Sequence, residues 1–175
     1  MEPSMDISME LIIDYIGVYA PYILFIITLF LLRNMRHYLQ FLLIGTILNN
    51  ILNIIFKLAL QQPRPLKDNM ALEIAINNGR RISFHKYGMP SGHAQNCGFF
   101  LGYITFVMKD IVCTGFYLII SLMSLVQRVK YHNHTTLQVI LGFIIGIFVS
   151  YIVYIYASKY IVGHLQAKLD DNAEV

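Results

Sequence analysis

Charged residues are scarce in this sequence. Only 13% of its 175 residues are Asp, Glu, Lys or Arg, whereas 57% are hydrophobic. A water-soluble domain carries about 25% charged residues, so the composition indicates a chain that folds in a lipid bilayer. The net charge of +3 is spread along the sequence without a basic stripe, which argues against a nucleic-acid partner. The length suits a single domain.

Cysteine is scarce as well, since Cys97 and Cys113 are the only two. Both fall in apolar segments without neighbouring ligand residues, which predicts buried thiols and neither a disulfide framework nor a metal site. The N-terminus is acidic through Glu2, Asp6 and Glu10. That charge is wrong for the n-region of a signal peptide, so no cleaved signal is expected.

Long apolar runs, by contrast, are abundant. A helix needs about 17–25 residues to cross a bilayer, and five runs are candidates: 11–32, 38–60, 91–108, 111–126 and 136–157. We therefore expect an all-α, polytopic transmembrane bundle of about five helices that forms one domain over 1–175. A polar, frayed tail is expected at 158–175. Gly142 and Gly146 form a Gly-x-x-x-Gly pattern in the last run, which is typical of close helix packing.

Two polar segments interrupt these runs, at 61–90 and at 127–134. The first carries five basic residues: Arg64, Lys67, Arg80, Arg81 and Lys86. With five crossings, both segments lie on the same face of the membrane as the N-terminus. We therefore expect an active site at this membrane interface, where the two segments meet.

Lys57 is an ionisable residue near the end of the second apolar run, and Arg64 follows seven positions later. Ionisable residues at membrane depth are costly and are functional candidates by default. Two converging cations suit an anionic group, although snorkelling to the lipid headgroups is the alternative. Asn49 and Asn53 continue the stripe of Lys57 along one helix face, and we expect them to form interhelical hydrogen bonds.

The second candidate element is Pro90-Ser91-Gly92-His93, at the start of the third run. Ser91 is a typical helix N-cap, and Gly92 lets a ligand approach the backbone closely. The free N–H groups of a helix N-terminus bind anions. His93 in the first turn would then lie beside a bound anion.

The third candidate element comprises Arg128, His134 and Gln138. If the last helix begins near His134, Gln138 lies one turn later on the same face. Its amide oxygen would accept the Nδ1–H of His134 and leave Nε2 free to attack, as in a catalytic triad. His132 has no role by its spacing and is expected at the rim. The sequon that begins at Asn133 is discounted, because a sugar there would block the site.

Together these elements read Lys-x₆-Arg-Pro, Pro-Ser-Gly-His and Arg-x₅-His. Their order and spacing resemble the type 2 phosphatidic acid phosphatase superfamily over about residues 49 to 146. Two positions depart from its general pattern: Gln127 replaces a Ser, and Gln138 replaces an Asp. The strings at 61–65, 87–95 and 134–139 are similar to the dolichyl diphosphatases, which carry a Gln at the same place.

The resemblance implies metal-independent hydrolysis of a polyprenyl diphosphate, with no cofactor, in the endoplasmic reticulum membrane of a eukaryotic setting. Lys57, Arg64, Arg128 and the N–H groups at Ser91-Gly92 would hold the terminal phosphate. His134 would be the nucleophile, oriented by Gln138, and His93 the general acid and base. Two alternatives stay open: another lipid phosphate, such as phosphatidic acid, or a non-catalytic protein that binds lipid phosphate, which Gln127 and Gln138 favour.

Overall fold

The computed structural model describes residues 9–65 and 86–170, which form five α-helices. They are α1 (Met9–Leu31), α2 (Arg36–Leu60), α3 (Gly92–Met108), α4 (Ile111–Lys130) and α5 (Thr136–Asp170). The predicted loop cations Lys67, Arg80 and Arg81 lie outside the described residues, as do the acidic Glu2 and Asp6.

Two helices are longer than predicted. α4 continues to Lys130, so Gln127 and Arg128 lie on the helix and not in a polar link. The reason is that both side chains are buried in the bundle, and the N–H of Tyr131 closes the last turn on the carbonyl of Gln127. α5 continues to Asp170, through the segment where a frayed tail was predicted, because that segment contains no proline and several strong helix formers.

The bundle has α3 at its centre. This helix of 17 residues packs against each of the other four. The other helices all contain a segment long and apolar enough to cross a membrane: Leu11–Leu31, Arg36–Leu60, Ile111–Lys130 and Thr136–Gly163. Large apolar side chains on these four helices point outward with 62–63% exposure: Ile26, Phe30, Ile47, Ile119 and Phe148. The expected multi-pass helical membrane bundle is thereby confirmed.

Glycines bring α3 and α5 into close contact. A Cβ added at Gly98 would lie 2.2 Å from the carbonyl oxygen of Phe143, and one added at Gly146 would lie 2.0 Å from that of Gln95. At Gly142 the distance to the carbonyl oxygen of Ser91 would be 2.6 Å. The Gly-x-x-x-Gly pattern of α5 therefore serves helix packing, as predicted, and it holds the first turn of α3 against α5.

The residues at the end of α4 contact the N-terminal part of α1, and the residues just before α3 contact the end of α2. Asp14 on α1 forms an ion pair with Lys130 of α4, with Oδ2 and Nζ 3.1 Å apart, and also accepts a hydrogen bond from the hydroxyl of Tyr131. The carbonyl of Tyr87, just before α3, accepts a hydrogen bond from Lys57 near the end of α2. The ends of four helices thus surround one region.

Candidate active site

The main chain at Tyr87 and Gly88 holds two of the predicted site residues. Lys57 donates from Nζ to the carbonyl of Tyr87 at 2.8 Å. The Nδ1 of His134 lies 2.8 Å from the carbonyl oxygen of Gly88. The N–H of Gly88 donates in turn to the carbonyl of Gln62, also at 2.8 Å. A cation and a candidate nucleophile are therefore fixed by neighbouring carbonyls of one short segment.

His134 is buried, with 4% of its surface exposed. Its Nδ1 faces two oxygens, the carbonyl of Gly88 at 2.8 Å and Oε1 of Gln138 at 3.3 Å. Because both are acceptors, Nδ1 carries the proton and Nε2 keeps its lone pair. Burial lowers the pKa of His134 to about 3, and the cations Arg64 and Lys57 add to this shift. The ring is accordingly neutral near pH 7, as a nucleophile requires.

Gln138 makes the predicted contact with His134, but it is not the nearer acceptor. Gly88, a glycine without side-chain chemistry, supplies the shorter contact. Oε1 of Gln138 also accepts the N–H of Thr135, and the hydroxyl of Thr135 accepts the N–H of Gln138. This reciprocal pair is a capping box. It explains why α5 begins at Thr136, where the apolar run 136–157 also begins.

The amide nitrogen of Gln138 contacts the segment that carries Arg64. Nε2 donates to the carbonyl of Pro63 at 2.9 Å and to Oε1 of Gln62 at 3.2 Å. Arg64 itself donates to the carbonyl of Asn133, next to His134, at 3.3 Å. Gln138 thus connects the first and third sequence elements, a contact between distant segments that residue spacing does not predict.

Lys57, Arg64, His93 and His134 line one cavity of about 390 Å³, together with Gly92. Ser91 is the N-cap of α3, as predicted, and its hydroxyl accepts from the N–H of Ala94 at 3.5 Å. The cavity therefore opens at the first turn of α3, where a helix N-terminus and two cations favour an anion.

Two of the predicted phosphate ligands, Ser91 and Arg128, make hydrogen bonds within the fold. The N–H of Ser91 donates to the carbonyl of Gln138 at 3.0 Å and is used within the fold. Arg128 is buried and donates from Nε to Oε1 of Gln127 at 2.6 Å. It is not among the residues that line the cavity. Its carbonyl accepts the N–H groups of Asn133 and His134, so its main chain shapes the turn before His134. His132, predicted at the rim, is exposed and closes that turn with a left-handed φ of 54°.

The polar stripe of α2 contacts α3 through amide side chains, as predicted. Asn53 donates to Oε1 of Gln95 at 2.8 Å, and Gln95 donates to Oδ1 of Asn49 at 2.9 Å. Asn49 also donates to Oδ1 of Asn96 at 2.8 Å. The sequence motifs assign no role to Gln95 or Asn96, although both follow His93 within one turn. Their amides fix α3 against α2 beneath the cavity.

Among the side chains that the structure describes, at 11–65 and 86–163, no group of three His, Cys, Asp or Glu is placed to hold a metal ion. Cys97 and Cys113 are both free thiols. The donors that the described part of the cavity does offer are cations, amides and imidazoles, which suit an anionic ligand.

Comparisons with known proteins agree with this geometry. Residues 38–161 match the family model described as the PAP2 superfamily. Dolichyldiphosphatase of Saccharomyces cerevisiae is 32% identical over 114 residues, which cover 58% of this chain and 44% of that protein. The palmitoyl-protein thioesterase-dolichyl pyrophosphate phosphatase fusion 1 of Schizosaccharomyces pombe is 27% identical over 135 residues, covering 71% of this chain and 19% of that protein. The chain spans less than half the length of these two relatives. No solved structure matches it.

Proposed function

The chain belongs to the PAP2 superfamily, the family that its three motifs predict, and from that premise we propose that it is a membrane-embedded, metal-independent lipid phosphatase. The observation that carries the proposal is the cavity at the start of α3. There two cations, Lys57 and Arg64, lie beside two histidines, His93 and His134. Fixed cations stabilise the charge that spreads over a phosphoryl group during transfer.

In the proposed reaction, the neutral Nε2 of His134 attacks the terminal phosphorus while the bond to the bridging oxygen breaks. His93 donates a proton to that leaving oxygen. A phosphohistidine at His134 results. His93 then takes a proton from water, whose oxygen attacks phosphorus, and the P–N bond breaks to release phosphate and restore His134. Lys57, Arg64 and the N–H of Gly92 hold the transferred group throughout.

The proposed roles of Ser91, Arg128 and Gln138 are to position these groups. Ser91 caps α3, so the first turn keeps its N–H groups directed at the cavity. Arg128 supports the turn that leads to His134, and Gln138 orients the ring of His134. Gln127 accepts a hydrogen bond from Arg128. That contact favours a second candidate function, in which the protein binds lipid phosphate without hydrolysing it.

For the substrate we propose a polyprenyl diphosphate of the dolichyl type, hydrolysed to the monophosphate. The support is that both curated relatives are named for dolichyl diphosphate hydrolysis and that Gln138 stands where the dolichyl diphosphatases carry a Gln. The resemblance to the dolichyl diphosphatases supports an endoplasmic reticulum location. Another lipid phosphate, such as phosphatidic acid, would use the same cations and histidines, but its leaving group would be diacylglycerol and not a lipid monophosphate.

The test is phosphate release by the purified protein in detergent with EDTA, comparing dolichyl diphosphate with phosphatidic acid. We expect release with EDTA present and faster release from the diphosphate. His134→Ala should abolish turnover, and His93→Ala should slow it by about 10²–10⁴-fold. His37→Ala is the matched control, because His37 lies in the first turn of α2, at the opposite end of that helix from Lys57.

Each possible outcome tests one part of the proposal. Loss of activity in EDTA that magnesium restores contradicts the metal-independent mechanism. Labelled phosphate trapped on His93, or full activity of His134→Ala, contradicts the assigned roles. Binding of the lipid phosphates without release of phosphate supports the non-catalytic candidate. Faster release from phosphatidic acid supports the proposed lipid phosphatase activity and contradicts the proposed diphosphate substrate.

A further inference from the structure

A groove adjoins the catalytic cavity on the side of α1. The described helices pack so that α1 lies on α3 and α4 while α2 lies on α3 and α5, and α1 and α2 are not packed along each other. The gap between α1 and α2 is floored by α3 and has a volume of about 370 Å³. Four residues line both the groove and the catalytic cavity: Tyr22, Asn50, His93 and Asn96. The two spaces therefore adjoin at these four residues.

The groove is polar where it meets the cavity and apolar farther away. At the junction with the cavity it is lined by Asn50, Asn96 and Tyr22, whose side chains carry amide and hydroxyl groups. Beyond them it is lined by Phe25 and Phe100, which do not line the catalytic cavity. A ligand that fits has a polar head at the junction and an apolar chain behind it.

The two amides are held in one orientation by a chain of hydrogen bonds. Asn49 donates to Oδ1 of Asn96 at 2.8 Å, and Asn96 donates to Oδ1 of Asn50 at 3.1 Å. Asn50 donates to the carbonyl of Thr46 at 2.9 Å. An amide nitrogen carries two N–H groups, and the described residues engage one on Asn50 and one on Asn96. Each therefore has one further N–H that no described residue engages.

We propose that Asn50, Asn96 and Tyr22 form a subsite for the leaving phosphate of a lipid diphosphate. The inference rests on the proposed function and deepens it. His93, the proposed acid, lines both spaces, so the oxygen that it protonates lies where they meet. On the cavity side of that oxygen stand the cations Lys57 and Arg64. At the junction with the groove lie Asn50, Asn96 and Tyr22, whose neutral donor groups suit the oxygens of a second phosphate.

The difference between cations and neutral donors fits the course of the reaction. The terminal phosphoryl group carries the charge of the transition state, and charge-assisted hydrogen bonds are about twice as strong as neutral ones. The lipid monophosphate is a product that has to leave, and amide donors hold it more weakly than Lys or Arg would. A lipid with a single phosphate places no phosphate at the junction and gains nothing from these donors. The subsite therefore selects diphosphates over monophosphates.

The experiment compares farnesyl diphosphate with farnesyl monophosphate, which share one chain and differ in one phosphate. Asn50→Asp keeps the acceptor for Asn96 and replaces the free N–H by a negative charge. We expect the ratio of kcat/KM for diphosphate over monophosphate to fall by about 10- to 100-fold, since a hydrogen bond to a charged group is lost and repulsion is added. Asn34→Asp is the matched control: Asn34 is exposed in the α1–α2 turn, and its ratio should equal that of wild type.

A second pair of variants tests the hydroxyl. Tyr22→Phe removes one donor and keeps the ring, and we expect the same ratio to fall by about 3- to 10-fold. Tyr19→Phe, nearly one turn earlier on α1, is the control, because Tyr19 is also exposed but does not line the groove. Both tyrosines lie on the outer surface of α1, so neither substitution disturbs the core.

The outcomes distinguish this inference from the function on which it rests. If wild type hydrolyses both substrates and Asn50→Asp lowers both rates by the same factor, the subsite is wrong and the phosphatase stands. If wild type hydrolyses only the monophosphate, the subsite is wrong as well. If wild type hydrolyses neither substrate nor dolichyl diphosphate, the proposed function fails and the subsite fails with it.

Discussion

At the scale of single residues, His134 is set up by its surroundings to stay uncharged. Burial and the cations Arg64 and Lys57 lower its pKa to about 3, well below the usual value of about 6.5. Since the protonated form predominates only below that lowered pKa, the ring of His134 is neutral above it. In the unfolded chain the ring binds a proton below about pH 6.5, so this residue makes folding less favourable as the pH falls from there toward 3.

This protonation state can be measured by ¹⁵N NMR of histidine-labelled protein in detergent. We expect distinct Nδ1 and Nε2 shifts of His134, as in a neutral ring, to persist down to pH 5. Arg64→Gln should raise the pKa, because one of the cations that lower it is gone. Arg33→Gln removes an exposed cation in the α1–α2 turn and should leave the titration unchanged. A midpoint of His134 between pH 6 and 7 in wild type would contradict the argument.

Gln138 affects two parts of the site, because its oxygen faces His134 and its nitrogen faces the carbonyl of Pro63. Gln138→Leu removes both contacts, and losing a buried hydrogen bond costs about 1–3 kcal/mol. We expect kcat to fall roughly 5- to 150-fold and KM to rise, since the loop that carries Arg64 loses its anchor. Steady-state kinetics with the diphosphate substrate measures both quantities.

A second variant separates the two contacts. Gln138→Glu keeps the oxygen at His134 but puts an acceptor against Pro63, so KM should rise and the pH–rate profile should shift. Gln40→Leu, an exposed glutamine on the first turn of α2, is the control. A Gln138→Leu protein with the rate and profile of wild type would mean that neither contact matters for turnover.

At the scale of the elements, the contact between α3 and α5 fixes the first turn of α3. Gly146 touches the main chain of Gln95, and Gly142 touches that of Ser91. Since Ser91 caps the helix whose first turn lines the cavity, any separation of the two helices moves that turn. The interface is therefore part of the site, although its glycines carry no chemistry.

Gly146→Ala would bring a Cβ to 2.0 Å from the carbonyl oxygen of Gln95, so the backbones have to move apart. Overpacking of this kind typically costs about 1–3 kcal/mol, and we expect a lower midpoint of thermal unfolding and reduced activity. Gly115→Ala in α4 is the matched control, because nothing lies within 4 Å of its added Cβ. There alanine should be neutral or stabilise by roughly 0.5–1 kcal/mol. Equal midpoints for the two variants would show that the helices adjust without cost.

At the scale of the whole molecule, the sequence predicted the helices better than the contacts between them. Hydrophobic length located the five helices, because the bilayer sets that length. It placed the end of α4 too early, since Gln127 and Arg128 are polar residues that face inward. The pairing of His134 with Gln138 was predictable because both lie near one helix start. The closer acceptor at Gly88 was not, because every residue has a carbonyl and spacing does not mark the one that is used.

The close approach of Gly88 to Gln138 has a consequence for how the family's sequences can change. A Cβ at position 88 would lie 2.5 Å from Oε1 of Gln138, so any larger residue there displaces the amide that orients His134. A shorter side chain at position 138, such as the Asp of the general superfamily pattern, leaves room beside position 88. Positions 88 and 138 should therefore co-vary: where a Gln stands four residues after the position of His134, glycine should be favoured at 88. Where an Asp stands there, alanine or serine becomes acceptable as well.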